Sequence, residues 1–288
     1  MRSTASKAPS TLCGGWPEGS QGVMRTAVLS DIHGNLPALL AVLADARARD
    51  ARAFLNLGDI VSGPLWPMET AELLMTLRWP TIAGNHERQV LTLPDDRLSA
   101  TDRHTRAALK EQHLQWLARH PKAMQPQPGL WCVHGTPGSD LVYLLETVTA
   151  PRGVREATDD EVRMRLGTAQ PKSASLLLCG HTHLPRDRVV DGLRIVNPGS
   201  VGLPAYDDDH PHPHDIETGT PQARYALVEP LDERGDAWSV ELRAVAYDHE
   251  QAARQAEANG RGDWADALRS GRVGRREAEV LDRAGPAE

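Results

Sequence analysis

Leu178-Cys179-Gly180-His181-Thr182-His183 places two histidines directly after an apolar run in this 288-residue chain. The leucines at positions 176–178 are typical of a buried strand, and the glycine after them indicates where the strand ends. Two imidazoles at a strand end indicate a metal site. From this segment alone, His181 and His183 could serve two different ions, or one ion and one structural contact.

Four other segments carry ligand-type side chains directly after apolar runs. They are Asp31-Ile32-His33-Gly34-Asn35, Gly58-Asp59, Gly84-Asn85-His86-Glu87 and Val133-His134-Gly135. Open α/β sheets place their sites at the carboxyl ends of their strands. We therefore expect the Asp, His and Asn side chains of all five segments to lie close together.

The N-terminal part of the chain has the pattern of a βαβαβ unit. Strand patterns cover residues 27–29, 53–57 and 81–83, and apolar residues at helical spacing cover 36–46 and 68–77. Asn35 is a good N-cap for the first helix, and Pro37 is tolerated in the first turn. Because crossovers of this kind join parallel strands, we expect parallel pairing.

The rest of the domain, taken as residues 24–247, is predicted to contain a helical cap and a strand-rich half. The cap insertion is expected near 88–128, with one helix over 101–120. A strand at 130–133 and a loop at 136–143 follow, and then a helix that begins with a capping box at 158–161 and ends at about 166. The strand-rich half should contain a hairpin over 188–196 and antiparallel strands at 224–228 and 238–247. Residues 207–215 hold three histidines between prolines and are predicted to be a solvated loop that could bind metal weakly. Residues 248–288 are predicted to be a helical tail, with short helices at 252–258 and 264–268.

The composition excludes several classes of protein. The hydrophobic content of 40% and charged content of 25% are ordinary for a globular protein. A net charge of −7 and only 4% aromatic residues argue against a general nucleic-acid surface. Cys13, Cys132 and Cys179 have no CxxC spacing and are expected to be reduced, in a cytoplasmic protein. No run approaches the ~18 apolar residues of a membrane span. Residues 1–23 lack a signal-peptide pattern and are predicted to be disordered, so that Met24 could be the true start.

The polar side chains at the strand ends favour two transition-metal ions. The candidate ligands are Asp31, His33, Asp59, Asn85, His134, His181 and His183. Imidazoles mixed with carboxylates suit Mn, Fe, Zn, Ni or Co rather than Ca or Mg, which prefer oxygen. Seven ligands are too many for one tetrahedral ion, whereas two ions about 3.5 to 4 Å apart that share a carboxylate would use them all.

In these five blocks, and in their order, the sequence resembles the calcineurin-like metallophosphoesterases over roughly residues 25–247. Asn197-Pro198-Gly199-Ser200 and the first block make it most similar to the small bacterial and archaeal phosphodiesterase branch. The resemblance implies an α/β fold, namely a four-layer αββα sandwich of two mixed β-sheets. It also implies that Asp59 bridges two ions, manganese being favoured, with Asp31, His33 and His183 on one ion and Asn85, His134 and His181 on the other.

The resemblance further implies hydrolysis of a small phosphodiester by a hydroxide that bridges the two ions and attacks phosphorus in line. The cations would neutralise the charge that builds on the phosphoryl oxygens. His86 follows Asn85 and belongs to neither ligand set. It is therefore the expected proton donor to the leaving group, as in the family, and its alternative role is to support the ligands.

One departure from the family bears on the substrate. Protein phosphatases of this family carry Asp-Arg-Gly after the second block, whereas this chain has Gly58-Asp59-Ile60-Val61-Ser62-Gly63-Pro64. A protein-phosphatase role is therefore disfavoured, and diesters are expected over monoesters because no fixed arginine is near Asp59 to hold a dianion.

Three alternatives remain: a phosphomonoesterase of the same fold, a non-catalytic metal-binding scaffold in a protein assembly, and a dinuclear hydrolase of another bond. The cap segment at 87–128 and a loop at 139–155 are expected to line the pocket, where Arg152 or Arg155 would either hold a second phosphate or lie at the surface.

Overall fold

The computed structural model describes residues 24–168 and 173–284. The segment predicted to be disordered, residues 1–23, lies outside the described residues. The strands are β1 (Thr26–Leu29), β2 (Ala53–Asn56), β3 (Ala123–Gln127), β4 (Leu130–Val133), β5 (Glu146–Thr149), β6 (Gly153–Glu156), β7 (Leu176–Leu178), β8 (Arg186–Val190), β9 (Leu193–Asn197), β10 (Ala205–Asp208), β11 (His214–Glu217), β12 (Ala223–Pro230) and β13 (Trp238–Val245). The helices are α1 (Leu36–Ala48), α2 (Pro67–Leu77), α3 (Asn85–Thr92), α4 (Ala100–Ala108), α5 (Glu111–Leu117), α6 (Asp159–Leu166), α7 (His249–Ala258), α8 (Gly262–Ser270) and α9 (Glu277–Ala284), with a 3₁₀ turn at Asp95–Arg97.

Two mixed sheets form the centre of the fold. The first has the order β13-β12-β1-β2, with β1 and β2 parallel and the other pairs antiparallel. The second has the order β3-β4-β7-β9-β8, in which β4, β7 and β9 are parallel and the edge strands are antiparallel. Backbone hydrogen bonds from Asp31 to Gly58 and from Gly180 to His134 join the loops that follow β1, β2, β4 and β7. The loops that follow the parallel strands of both sheets therefore lie together at one edge of the sandwich.

The alternation of side chains along the strands explains the layers. Val28 of β1 and Leu178 of β7 lie in a buried cluster between the two sheets, whereas Leu29 faces the opposite way, onto α1 and α2. Leu177 likewise faces outward, into a cluster that includes Val162 of α6. Burying one such side chain stabilises the fold by about 1.5 to 3 kcal/mol. The predicted αββα sandwich is confirmed.

The predicted helix caps and the predicted hairpin turn are confirmed. Asn35 caps α1 by accepting the N–H of Ala38 at 3.2 Å. Thr158 and Glu161 form the predicted capping box of α6, and the β8–β9 hairpin turns at Asp191 and Gly192 as expected. Among the described residues, no helix is long and apolar enough to cross a membrane.

Two predicted elements before residue 121 are wrong. The third strand is reduced to one bridge between Asn56 and Thr81, because Ala83 already donates its N–H to Pro121 of the cap. The single helix over 101–120 is two helices, α4 and α5. The break occurs where Leu109 adopts an extended conformation and packs into the core beneath α1 and α2.

Two segments predicted to be loops contain hairpins. Residues 139–155 include β5 and the start of β6, and residues 207–215 overlap the ends of β10 and β11. In β11, His214 and Ile216 are buried and their neighbours are not. The prolines and aspartates on either side hide this alternation in the sequence, so that only the packing reveals the strand.

Candidate metal centre

The predicted ligands form two neighbouring clusters at the shared edge of the sheets. Each cluster has one aspartate and two histidines: Asp31, His33 and His183 in the first, and Asp59, His134 and His181 in the second. In the first, Nε2 of His33 and Nε2 of His183 are 3.1 Å apart. In the second, Nε2 of His134 is 3.0 Å from Oδ2 of Asp59. The Asp31 carboxylate is also 4.0 Å from Nε2 of His134, so the clusters are adjacent.

Asn85 adds an amide oxygen to the second cluster. It is the first residue of α3, its side chain is buried, and its Oδ1 lies 3.1 Å from Nε2 of His134. The structure thus brings all seven predicted ligands to one place. A mixture of imidazole nitrogens with carboxylate and amide oxygens, in two adjacent groups, fits two divalent transition-metal ions.

Hydrogen bonds determine which nitrogen of each histidine is free to bind a metal. Nδ1 lies 2.7 to 2.8 Å from a backbone carbonyl in three cases: His33 with Ser62, His134 with Leu57, and His183 with Leu203. A carbonyl can only accept, so each Nδ1 donates, and in the neutral ring Nε2 then has a lone pair toward its cluster. In His181 the arrangement is reversed, because Nε2 is bonded to the Leu141 carbonyl at 3.1 Å and Nδ1 is free.

Most of these side chains sit on backbone that residues other than glycine rarely adopt. The angle φ lies between 51° and 71° at Asp31, His33, Asp59, His181 and His183. Such a conformation costs on the order of 1 to 3 kcal/mol per residue. Among the described non-glycine residues only three others have positive φ, so the strain is concentrated at the clusters. In an extended strand His181 and His183 would point to the same side, and the left-handed conformation at both sends them to different clusters.

A buried carboxylate that was given no role in the sequence analysis holds the loop of Asp59. Glu87 accepts the N–H groups of Asp59, Ile60 and Gly84, each at 2.8 Å. Burial and the charge of Asp59 raise the pKa of Glu87 to about 7. A Cβ on Gly84 would overlap the Asp59 carboxylate, so only glycine fits there. The position of the Asp59 loop therefore depends on its contact with the start of α3.

His86 lies beside the first cluster and pairs with an aspartate of the cap. Its ring is 5.3 Å from that of His33, and its Nδ1 is 2.7 Å from Oδ1 of Asp102 on α4. Burial lowers the pKa of His86, but the Asp102 and Asp59 carboxylates outweigh it and raise the pKa to about 10. A nearby cation would oppose that shift. Because Nδ1 is engaged by Asp102, Nε2 is the nitrogen available for proton transfer.

Asp102 was missed in the sequence analysis. It is buried, and Ser99 holds it by accepting its backbone N–H at 3.0 Å and bonding its Oδ2 at 3.1 Å. The spacing of Ser99 and Asp102 is a helix-start signal that could have drawn attention to this turn. Nothing local indicates that the carboxylate would reach His86.

The two clusters differ in their protonation. Burial raises the pKa of Asp59, but the charge of His134 lowers it well below the usual value. Burial lowers the pKa of His134, but Asp59 raises it to about 10. In the first cluster, burial and His183 lower the pKa of His33 to about 3, so this ring is neutral. Metal binding at the second cluster must therefore displace a proton from His134.

One arginine is within electrostatic reach of Asp59, but it is already paired with another carboxylate. Arg88 is close enough for the Asp59 charge to act on it, but its guanidinium makes two hydrogen bonds to Asp140, at 2.6 and 2.9 Å. Arg155 is about half exposed and pairs with Glu161 at the surface. Arg88 is therefore neutralised, and Arg155 is an ordinary surface residue.

The histidine-rich segment contributes to neither of the two clusters found among the described residues. His210 and His212 are exposed, whereas His214 is buried and bonds the hydroxyl of Tyr143 at 3.0 Å. That hydroxyl lies 2.8 Å from the hydroxyl of Tyr206, which donates to the backbone carbonyl of His181 at 3.2 Å. The hairpin therefore supports the loop that carries His181.

A helix of the predicted C-terminal tail packs directly on the centre. Trp264 of α8 is buried, and its ring meets that of His33 edge-on at 5.8 Å between centroids. Leu65 and Leu203, on loops of the main domain, pack in the same cluster. The sequence offers no signal for this contact, because Trp264 and His33 are more than 200 residues apart.

Comparisons with known proteins agree with this geometry. A family model described as the calcineurin-like phosphoesterase superfamily domain matches residues 24–218. An uncharacterized protein of Methanocaldococcus jannaschii is 25% identical over 260 residues, which is 83% of this chain and 94% of that protein. A crystal structure of a metallophosphoesterase from Sphaerobacter thermophilus is similar with a TM-score of 0.65 and 27% identity, covering 86% of this chain and 98% of its own. A hypothetical protein from Pyrococcus horikoshii OT3 shares the fold at the same TM-score and coverage, with 21% identity. Because the family model covers more than half of the chain, this protein belongs to the calcineurin-like phosphoesterase superfamily, a family of metal-dependent phosphoesterases.

Proposed function

We propose that this protein is a dinuclear metal-dependent phosphodiesterase. The observation that carries the proposal is the pair of adjacent clusters, which between them offer four histidines, two aspartates and one asparagine. Asp59 is proposed as the bridging ligand, since its charge acts on both His33 and His134. When bound, the two ions, with manganese favoured, would neutralise charge on the phosphoryl group and acidify a water molecule for attack.

The candidate ligands would be divided between the two ions. Asp31, His33 and His183 would hold one side of the centre, and Asn85, His134 and His181 the other. Carbonyl groups on the outer nitrogens of the four histidines keep the rings oriented, so little reorganisation is needed at the moment of reaction.

His86 would supply the proton to the leaving group. Asp102 orients the His86 ring by accepting the N–H of Nδ1, and its charge keeps the ring protonated. The Nε2–H group takes no part in this ion pair. An unactivated alkoxide needs that proton in order to leave, so general acid catalysis contributes roughly 10²- to 10⁴-fold to the rate.

A diester is favoured over a monoester as the substrate. A monoester dianion carries more charge and gains from a free guanidinium, whereas Arg88 is already bound by Asp140. A phosphomonoesterase is the second candidate, because Arg88 is near enough to serve if that pair opens. A scaffold role is less well supported, because every ligand-type side chain is present.

The test is the hydrolysis of a panel of phosphomonoesters and diesters by metal-loaded protein, with metal content measured alongside. We expect chelation to abolish activity and manganese to restore it. His86→Ala should lose far more rate on a dialkyl diester than on a nitrophenyl diester, with both ions retained. Activity that survives chelation would contradict the proposal, and equal losses on both substrates would assign His86 to ligand support.

A further inference from the structure

The junction of helices α7 and α8, residues 259–264, contacts two parts of the surroundings of the candidate centre. Arg261 donates a hydrogen bond from Nη1 to Oγ1 of Thr101 in the cap, at 2.7 Å. Trp264 lies with its ring 5.8 Å from that of His33, measured between centroids. The match to the family model ends at residue 218, so the junction lies beyond it. A C-terminal segment therefore connects the cap with the first cluster.

Neighbouring groups fix the direction in which Arg261 points. Its side chain is buried, and Nε and Nη2 donate to the two carboxylate oxygens of Asp263 at 3.0 and 2.6 Å. The guanidinium also lies over the Trp264 ring, at 5.8 Å from the centroid. Because its donors lie in one rigid plane, these contacts direct Nη1 toward Thr101, which is itself buried. The bond to Thr101 is therefore charge-assisted and shielded from water, and Arg261 is a fixed anchor for the cap.

Thr101 and Asp102 are consecutive residues in the first turn of α4. The Asp102 carboxylate bonds Nδ1 of His86 at 2.7 Å, so a movement of this turn moves the partner of His86. The last turn of α4 is tied to the end of α3 by Arg106, whose guanidinium donates to a backbone carbonyl there at 2.7 Å. The first turn is held from outside the cap by Arg261. The distance between Asp102 and His86 therefore depends on the α7–α8 junction.

We propose that Arg261 is a positioning residue for the proton donor, because its hold on the first turn of α4 keeps Asp102 in contact with His86. The inference rests on the proposed function, since it assumes that His86 protonates the leaving group. In that step the Nε2–H bond of His86 breaks, and the proton passes to the leaving oxygen as the bond from that oxygen to phosphorus breaks. A displacement of about 1 Å at a catalytic group costs on the order of 10²-fold in rate. Loss of the Arg261 contact should therefore slow the reactions that need this proton and spare those that do not.

The first test is a pair of substitutions at Thr101. Thr101→Val keeps the shape of the side chain and nearly its helix propensity but removes the acceptor of the Arg261 bond, whereas Thr101→Ser keeps the hydroxyl. The substrates are diethyl phosphate and ethyl p-nitrophenyl phosphate, which differ only in the alcohol that leaves. With metal-loaded protein, the ratio of the first rate to the second should fall by about 10-fold in Thr101→Val and recover in Thr101→Ser. Metal content should equal that of wild type in both variants.

Arg261→Lys tests the other partner of the bond. A lysine keeps the positive charge beside Asp263 but lacks the planar fork that reaches Thr101 at the same time, so the same ratio should fall. Arg275→Lys is the matched control, because Arg275 makes a similar pair of bonds to Asp266, at 2.8 and 2.7 Å, at an exposed position of the same C-terminal segment. Its ratio should equal that of wild type.

Amide hydrogen exchange measures how firmly the first turn of α4 is held, without relying on activity. The N–H of Arg103 bonds the Ser99 carbonyl at 2.9 Å in this turn. Its exchange in metal-free protein should be about 10-fold faster in Thr101→Val and Arg261→Lys than in wild type. Exchange should be unchanged in Thr101→Ser and Arg275→Lys. The amides of α1 should exchange equally in all variants, which would establish that the core is intact.

Several results would overturn the positioning role. A ratio that stays at the wild-type value in Thr101→Val and Arg261→Lys would show that Arg261 does not act on the proton donor, and the proposed function would stand. A ratio that falls without faster exchange at Arg103 would show that the effect does not pass through α4. Equal losses of rate on both esters, or a loss of metal, would assign Arg261 to stability alone. If the metal-loaded wild-type protein hydrolyses neither ester, the proposed function fails and the positioning role falls with it.

Discussion

The strand-end loops and the helices packed around them contribute to the centre in different ways. The loops carry the ligand-type side chains on strained backbone, and the strain is held by contacts such as that of Glu87 with the Asp59 loop. The helices contribute single residues, Asp102 from α4 and Trp264 from α8, which arrive only because whole segments pack against the sheets. The comparison indicates that the candidate metal ligands reside in the loops, and that the helices supply residues that pack against them or bind their neighbour His86.

The largest effect is expected at the centre of the loop region. Asp59→Asn removes the proposed bridging charge, so both ions should be lost together and the rate should fall by at least ~10³-fold. Metal content and hydrolysis of bis(p-nitrophenyl) phosphate measure the two effects. Asp50→Asn is the control, because Asp50 also has a positive φ but is exposed. Full occupancy of one site in Asp59→Asn would show that Asp59 is not the bridge.

The second-largest effect is expected at Glu87, which is not a candidate ligand but holds the loop that carries one. Glu87→Gln replaces an acceptor of three N–H groups by an amide that must turn its own NH₂ toward one of them. Metal affinity should fall by about 10- to 10²-fold, as for other residues that support metal ligands. Calorimetric titration with manganese measures the affinity. Glu69→Gln, an exposed site on α2, should bind as wild type does, and an unchanged affinity in Glu87→Gln would contradict the assigned role.

Asp102→Asn separates the helix contribution from metal binding through its pH dependence. In the metal-free protein the pKa of His86 is raised from 6.5 to about 10, so its stabilising effect is complete below pH 6.5 and is lost as the pH rises through about 10. The variant should therefore be less stable than wild type by roughly 2 kcal/mol near pH 6, and the difference should vanish above pH 10.

Urea unfolding at several pH values measures that difference in the free energy of unfolding. Asp96→Asn, an exposed change in the same cap, is the control. Metal affinity should stay near that of wild type in Asp102→Asn, while the rate on unactivated diesters falls. A difference in stability that does not vary with pH would show that Asp102 acts through packing alone.

The smallest expected effect concerns substrate charge. Asp140→Asn releases Arg88 from its two hydrogen bonds, so the ratio of monoester to diester hydrolysis should rise by about 5-fold. Asp187→Asn, which releases Arg194 from a similar pair, is the control and should leave the ratio unchanged. A constant ratio in Asp140→Asn would show that Arg88 does not reach the substrate.

Much of the ligand region could be predicted from the sequence, because its signals are local. Each ligand-type residue except Asn85 follows an apolar strand by one to five positions, and parallel strands of a mixed sheet bring their ends together. The β1 and β7 strands, the cap of α1 and the capping box of α6 were predicted for the same reason. Short-range patterns of polarity and spacing are sufficient for these features.

The tertiary structure alone decided how the surroundings complete the centre. The break at Leu109 and the burial of His214 depend on contacts with distant segments, which outweigh the local pattern. Glu87 and Asp102 resemble ordinary helix-start residues in the sequence, and they acquire their roles from the loop and the histidine that packing places beside them. The sequence by itself therefore determined the candidate ligand set, because neighbouring residues encode strand ends, and its resemblance to a known family supplied the sandwich. Only the folded chain determined the strained left-handed backbone, the partner of His86 and the packing of Trp264 on His33, because each of these requires residues far apart in sequence to come into contact.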